Sequence, residues 1–183
     1  MRHLPNLITL LRLALVPVIA ALLYQDKHDE AFGCFVVSAL SDFADGRIAR
    51  RWNLESRFGA VADPLADKLT MVTVTVLLAM QQAIPWWFAS VLVARDLVIV
   101  AGALAYRLVA GGLEMTPTRI SKLNTVLQFL LLLAVLAVLA GHLQDGLWVD
   151  LLMWTTLATM AISGAHYVLA WGRKAARARC RAA

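Results

Sequence analysis

The sequence predicts an all-α, polytopic membrane protein of six transmembrane helices behind an amphipathic N-terminal lead-in, and three observations carry that prediction. First, the 183 residues are 61% hydrophobic and only 16% charged, with a mean hydropathy of +0.71. A soluble domain is nearer ~45–50% apolar and ~25% charged, so too little polar surface remains here to cover a water-soluble globule. Second, the apolar residues fall into runs broken by charge, and at about 20 residues per crossing the length allows six or seven spans and no further soluble domain. Third, the basic residues collect in alternate loops, as they do when one side of a membrane is cytoplasmic. The composition also excludes a disordered chain. Two distant cysteines, Cys34 and Cys180, exclude a disulfide scaffold. A single membrane domain over residues 1–183 is expected.

Residues 5–12 form the amphipathic lead-in and 13–25 the uncharged body of the first span. Asn6, Thr9 and Arg12 interrupt what would be the apolar region of a cleaved signal, so a signal peptide is not expected. The next apolar run, 31–41, is about 17 Å long as a helix against a hydrocarbon core of about 30 Å. The second helix must therefore continue through Asp42 and Asp45 to Ala49, which carries carboxylates into the membrane. The third span, ending near Gln81, reaches full length only from near Ala60, and so contains Asp63 and Asp67. The fourth is expected over 85–106, the fifth over 118–140 and the sixth over 146–171, followed by a basic tail.

Fifteen of the seventeen basic residues, all but Lys27 and Arg95, then lie at the termini, between spans two and three, or between spans four and five. Both termini and those two loops are expected in the cytoplasm, the protein in the inner (cytoplasmic) membrane. Tyr24, Trp86, Trp87 and Trp148 mark one interface, Trp52, Tyr106 and Trp171 the other. The net charge of +5 is thus a topology signal, and no nucleic-acid partner is expected. The tail from Arg173 to Arg181 reads as an orientation signal resting on anionic membrane lipid.

The chemistry is concentrated between Ser41 and Lys68. Asp42 and Asp45 are three apart, Asp63 and Asp67 four apart, so each pair shares one helix face. A short link makes the two helices antiparallel neighbours whose pairs can converge. Four carboxylates in a low-dielectric pocket repel one another unless cations are present. Hard oxygen ligands with no nearby Cys or His point to Mg²⁺ or Mn²⁺, and two ions bridged by carboxylates suit phosphoryl chemistry. Gly46 and Ala49 leave room for close approach to the backbone, and Arg50, one turn on, can hold a phosphate in two hydrogen bonds. Gly59 lets the next helix begin tightly, with Pro64 in its first turn. The plain alternative, acids pairing with arginines to hold helices together, fits poorly with four acids and two glycines at fixed spacing.

The string Asp42-x2-Asp45-Gly46-x2-Ala49-Arg50-x8-Gly59-x3-Asp63-x3-Asp67 resembles the complete signature of the CDP-alcohol phosphatidyltransferase family, eight specified positions over 26 residues. The resemblance implies transfer of a phosphatidyl group from CDP-diacylglycerol to an alcohol with release of CMP. It implies that Asp42, Asp45, Asp63 and Asp67 hold the divalent ions, and that Asp67 is also the base for the acceptor hydroxyl. It further implies donor contacts from Asp42, Gly46, Arg50, Ser56 and Gly59, with Asn6 and Thr9 a less distinctive donor-binding stretch. A homodimer is the oligomer the resemblance suggests.

For the acceptor, Arg95-Asp96 falls near the middle of span four, where it either lines a cavity or joins helices. Lys68, Arg119 and Lys122 could hold an acceptor phosphate or simply anchor the cytoplasmic edge. Arg95-Asp96 with Ser121-Lys122-x-Asn124-Thr125-x-x-Gln128 resembles the eukaryotic-type cardiolipin synthases, whose acceptor is phosphatidylglycerol. The lead-in 5–12 and Asp63-Pro-Leu-Ala-Asp-Lys68 resemble the phosphatidylglycerophosphate synthases, whose acceptor is glycerol 3-phosphate. Phosphatidylglycerol is the expected acceptor and glycerol 3-phosphate the alternative. A proton- or metal-coupled transporter, the reading from another class, predicts acids scattered along a pore, whereas these cluster near one leaflet.

Overall fold

A computed structural model describes residues 4–52, 59–110 and 119–182, with side chains at 11, 13–41, 68–98 and 122–164. Among the described residues the chain is all-helical, with no strand. The helices are α1 Leu4–Tyr24, α2 His28–Trp52, α3 Gly59–Met80, α4 Trp86–Ala110, α5 Arg119–Leu139 and α6 Leu147–Ala182. The lead-in and first span are one unbroken helix, with Pro5 at its start, where a missing N–H costs nothing, and Pro17 inside it. α2 begins three residues ahead of the expected apolar run because Asp29 and Glu30 suit the positive end of a helix and can occupy its first turn.

α6 departs most from expectation: it runs 36 residues, carrying helix through the basic tail to Ala182. At 1.5 Å per residue that is about 54 Å, well beyond a hydrocarbon core of about 30 Å. The apolar pattern ends near Trp171, but the Ala, Lys and Arg that follow are among the strongest helix formers.

Three helices stop in the same way. After α1, α3 and α5 a residue adopts positive φ: Asp26 (56°), Gln82 (60°) and Gly141 (76°). The following amide then reaches back five residues, Lys27 N to Leu22 O, Ala83 N to Leu78 O and His142 N to Ala137 O, each at 2.9 Å. This is the Schellman closure, which satisfies carbonyls the helix leaves unpaired.

The chain divides into two compact units, Met1–Val93 with Leu132–Asp145, and Ala94–Leu131 with Gly146–Ala183. In the first unit α1 packs against both α2 and α3. Ile19, Leu23, Phe35, Val74, Leu78 and Phe88 are buried there. Gln81 Nε2 ties the end of α3 to the end of α1, donating to Leu23 O at 2.6 Å and to Asp26 Oδ1 at 3.1 Å. The loop after α5 is pinned to the start of α2 by His142 Nε2 and Asp29 Oδ1 at 2.7 Å, with the His142 ring tilted against Phe32.

Among the described residues the buried set is mainly apolar but includes several polar groups, and many large apolar side chains are exposed. The buried polar residues are Ser38, Thr70, Thr75, Asp96, Asn124, Gln128, Thr156 and Ser163. Leu40, Leu97, Val98, Leu151, Trp154 and Ile162 are all more than half exposed. Thr75 and Thr156 satisfy their hydroxyls within their own helices, donating to the carbonyls four residues back at 2.7 Å. Two segments, Lys122–Leu139 and Leu147–Gly164, are long and apolar enough to cross a membrane, and Leu13–Tyr24 and Lys68–Met80 are shorter apolar helices.

Candidate active site

The expected donor and metal residues fall on three helices of one packed unit. Asn6 and Thr9 lie on α1, Asp42, Asp45, Gly46 and Arg50 on α2, and Gly59, Asp63 and Asp67 on α3. Their side chains lie outside the described residues, as does Ser56 altogether. What the structure supplies is the register in which the helices carry them.

On α2 the described buried positions are Ala31, Phe35 and Ser38. At 100° per residue, Asp42 and Asp45 fall within about 50° of the centre of that stripe, and Ala49 falls on it. On α3 the buried positions Thr70, Met71, Val74, Thr75, Leu78 and Ala79 define a broader face, and Asp67 and Asp63 fall within about 70° of its centre. The helix face that packs inward along the described half of each element is thus the face on which the acids sit. The polar residues nearest them on these faces, Ser38 and Thr70, are 6% and 7% exposed. Toward the acids, the described buried positions turn from Phe35 and Val74 to the hydroxyls of Ser38 and Thr70.

Among the described acceptor candidates, Lys68 is half-buried on α3 and Lys122 is exposed in the first turn of α5. Arg119 opens α5, its side chain outside the described residues. Among the described side chains no group of three acids, histidines or cysteines forms a metal cage.

Arg95-Asp96 takes part in a contact between helices. Arg95 Nη1 lies 2.8 Å from Asp96 Oδ1, and Gln128 Nε2 of α5 donates to Asp96 Oδ2 at 3.5 Å. One turn earlier on α5, Asn124 Oδ1 accepts from Thr159 Oγ1 of α6 at 3.1 Å. All of these residues belong to the second unit. Sequence reasoning missed the α6 partner, Thr159; the available signal was a hydroxyl at every turn or so of an apolar helix, at Thr155, Thr156, Thr159 and Ser163.

The comparisons with known proteins bear on this arrangement. The family model for CDP-alcohol phosphatidyltransferase matches residues 2–163. The chain is 31% identical to cardiolipin synthase (CMP-forming) of Rattus norvegicus over 186 residues, covering 93% of this chain and 61% of that protein. It is 39% identical over 144 residues to a cardiolipin synthase (CMP-forming)/mitochondrial hydrolase fusion protein of Schizosaccharomyces pombe, covering 70% and 24% of the two chains. It is 36% identical over 105 residues to CDP-diacylglycerol–glycerol-3-phosphate 3-phosphatidyltransferase of Escherichia coli, covering 54% and 57%. The chain therefore spans between a quarter and about three fifths of the length of these relatives. With the family model covering both helices of the carboxylate signature, the chain belongs to the CDP-alcohol phosphatidyltransferase family.

Proposed function

We propose that this chain is an integral membrane phospholipid synthase that transfers the phosphatidyl group of CDP-diacylglycerol to a hydroxyl of phosphatidylglycerol, forming cardiolipin and releasing CMP. The observation that carries the reading is the register of α2 and α3, whose inward faces continue into Asp42, Asp45, Asp63 and Asp67. Four carboxylates with no Cys or His between Ser41 and Lys68 fit Mg²⁺ or Mn²⁺, and two such ions are the expected complement. When bound, divalent ions supply neutralisation of the pyrophosphate and of the charge that grows on the leaving CMP.

The chain's own residues do the rest. Arg50 and Gly46 grip the donor phosphates, with Asn6, Thr9, Ser56 and Gly59 completing the donor site. Asp67 takes the proton of the acceptor hydroxyl. The freed oxygen forms a bond to the phosphatidyl phosphorus as the pyrophosphate P–O bond breaks, and CMP leaves with the electron pair. Direct attack needs no covalent enzyme intermediate. Lys68, Arg119 and Lys122 neutralise the acceptor phosphate.

In this reading all six helices cross the inner membrane with both termini in the cytoplasm, as the loop charges imply. The large apolar side chains exposed among the described residues support it, because hydrocarbon solvates Leu97 and Trp154 while the buried Asp96 and Gln128 require protein partners. The active enzyme is a homodimer.

Glycerol 3-phosphate is the second reading, favoured by the Asp63-Pro-Leu-Ala-Asp-Lys68 segment and by the likeness to the Escherichia coli enzyme. The test incubates purified protein with CDP-diacylglycerol, Mg²⁺ and either acceptor. CMP and cardiolipin with phosphatidylglycerol are the expected products. CMP release with glycerol 3-phosphate alone would transfer the assignment to that acceptor, and no CMP with either would remove the transferase reading.

A further inference from the structure

The inward face of α1 carries a cation. At 100° per residue, the buried Ile19 and Leu23 put the centre of that face midway between them. The half-buried Leu15, Val16, Ala20 and Leu22 lie within about 80° of the centre. The exposed residues, from Leu11, Leu13 and Ala14 to Ala21 and Tyr24, all lie about 100° or more from it. Arg12 falls on the centre itself. Its side chain lies outside the described residues, so its place is set by the helix alone. Leu11, Leu13 and Ala14 precede Pro17 and still follow the same spacing, so the face carries through the proline.

The depth of Arg12 follows from the helix ends. α1 and α3 finish side by side, with Gln81 Nε2 on Leu23 O at 2.6 Å and matching positive-φ residues at Asp26 and Gln82. The two helices pack together and run the same way to that end. Counting back equal rises puts Arg12 level with about residues 68–70, within a turn of Asp67 and Thr70. α2 returns antiparallel after the short turn at 25–27, and the same count puts Arg12 level with about residue 40, between Ser38 and Asp42. All three helices belong to the first unit. An arginine that only oriented the chain would stand at a helix end or on its outer side. Arg12 is about 12 Å inside α1 and faces inward.

A guanidinium does not lose its proton, so inside a membrane it requires a lasting counter-charge. Ser38 and Thr70 bring hydroxyls only. In the function proposed above, Asp42 and Asp67 hold divalent ions. The anion left at this level is a substrate phosphate, which a guanidinium grips through two parallel hydrogen bonds. Arg50 lies about 12 Å from Asp42 toward the opposite end of the acids, on the nucleotide's side of the donor. We propose that Arg12 is a further substrate-binding residue, holding a lipid phosphate at the inner end of the carboxylate faces. The proposal rests on the transferase reading, in which the transferred phosphatidyl group and the acceptor each bring such a phosphate.

The test uses the full chain in micelles with Mg²⁺ and reads the rise in Tm caused by CMP, CDP-diacylglycerol, phosphatidylglycerol or glycerol 3-phosphate, each alone. KM values follow from CMP release. CMP carries the nucleotide phosphate without the lipid one, so Arg12→Gln keeps the CMP-induced shift. It loses most of the shift given by the ligand whose phosphate Arg12 holds, and raises the KM of that ligand about tenfold or more. Arg12→Lys recovers part of both, since it keeps the charge and loses the second hydrogen bond. Loss with CDP-diacylglycerol assigns the phosphatidyl phosphate of the donor, loss with phosphatidylglycerol or glycerol 3-phosphate the acceptor phosphate, and loss with both a position they share. Unchanged shifts and KM values overturn the proposal, as does a parent that no phosphate-bearing lipid or glycerol 3-phosphate stabilises. Loss of the CMP shift along with the others also overturns it, because Arg12 would then serve the fold. Should Arg12→Gln not fold, the same comparison in Arg12→Lys decides. Absence of CMP release from the parent with either acceptor defeats the transferase reading alone, since the ligand-induced shifts still decide Arg12.

Discussion

Removing the Asp96 carboxylate separates burial from distance as the source of ion-pair strength. Arg95–Asp96 and His142–Asp29 have nearly equal separations, 2.8 and 2.7 Å. The first pair is 10% and 2% exposed, the second 49% and 72%. Asp96→Ala removes the carboxylate that lies against both Arg95 Nη1 and Gln128 Nε2. Breaking a buried pair in this way costs about 3–5 kcal/mol, roughly a fifth or more of the whole stability of a typical protein. Asp29→Ala opens a solvated pair and costs about 0–1 kcal/mol. Asp96→Asn keeps one carbonyl oxygen, an acceptor for Arg95 or for Gln128 but not for both in their present places, and falls between the two. Reversible unfolding of the protein in micelles, driven by added denaturing detergent and followed by helical content, measures all three. A loss below about 1 kcal/mol for Asp96→Ala, or one equal to that for Asp29→Ala, would refute the reasoning. It would mean that water reaches the α4–α5 contact freely.

Gln82→Gly should stabilise the protein by about 1 kcal/mol, because Gln82 is exposed and holds a φ of 60° that only glycine adopts without strain. Asp26→Gly should gain less or lose, since aspartate tolerates that conformation and Asp26 Oδ1 accepts from Gln81; thermal melts of the two variants rank them. Asp67→Asn should abolish CMP release while leaving the melting temperature within a few degrees of the parent's. EDTA should abolish turnover of the parent reversibly, with Mg²⁺ or Mn²⁺ restoring it, as radiolabelled CMP release reports.

The sequence by itself determined the helices and the face each one turns inward. α3, α4 and α5 begin within one residue of the expected starts at 60, 85 and 118, because signals such as Gly59 and Pro85 act on the chain within one turn. The pairing of Asp42 with Asp45 and of Asp63 with Asp67 is equally local, a consequence of 3.6 residues per turn. The extent of α6 was not legible from hydropathy, since hydropathy measures where the solvent changes and helix propensity runs on past that point.

Only the tertiary structure decided which helix answers each buried polar group. Asp96 meets Gln128 thirty-two residues away, Asn124 meets Thr159 thirty-five away, and Gln81 meets Leu23 fifty-eight away. A periodic sequence specifies which side of a helix is buried and leaves open which neighbour covers it. For apolar faces in lipid that choice is nearly degenerate, since one leucine surface packs much like another. The polar groups break the degeneracy, because each must find a complementary atom within about 3 Å, and that requirement is met by three-dimensional position alone.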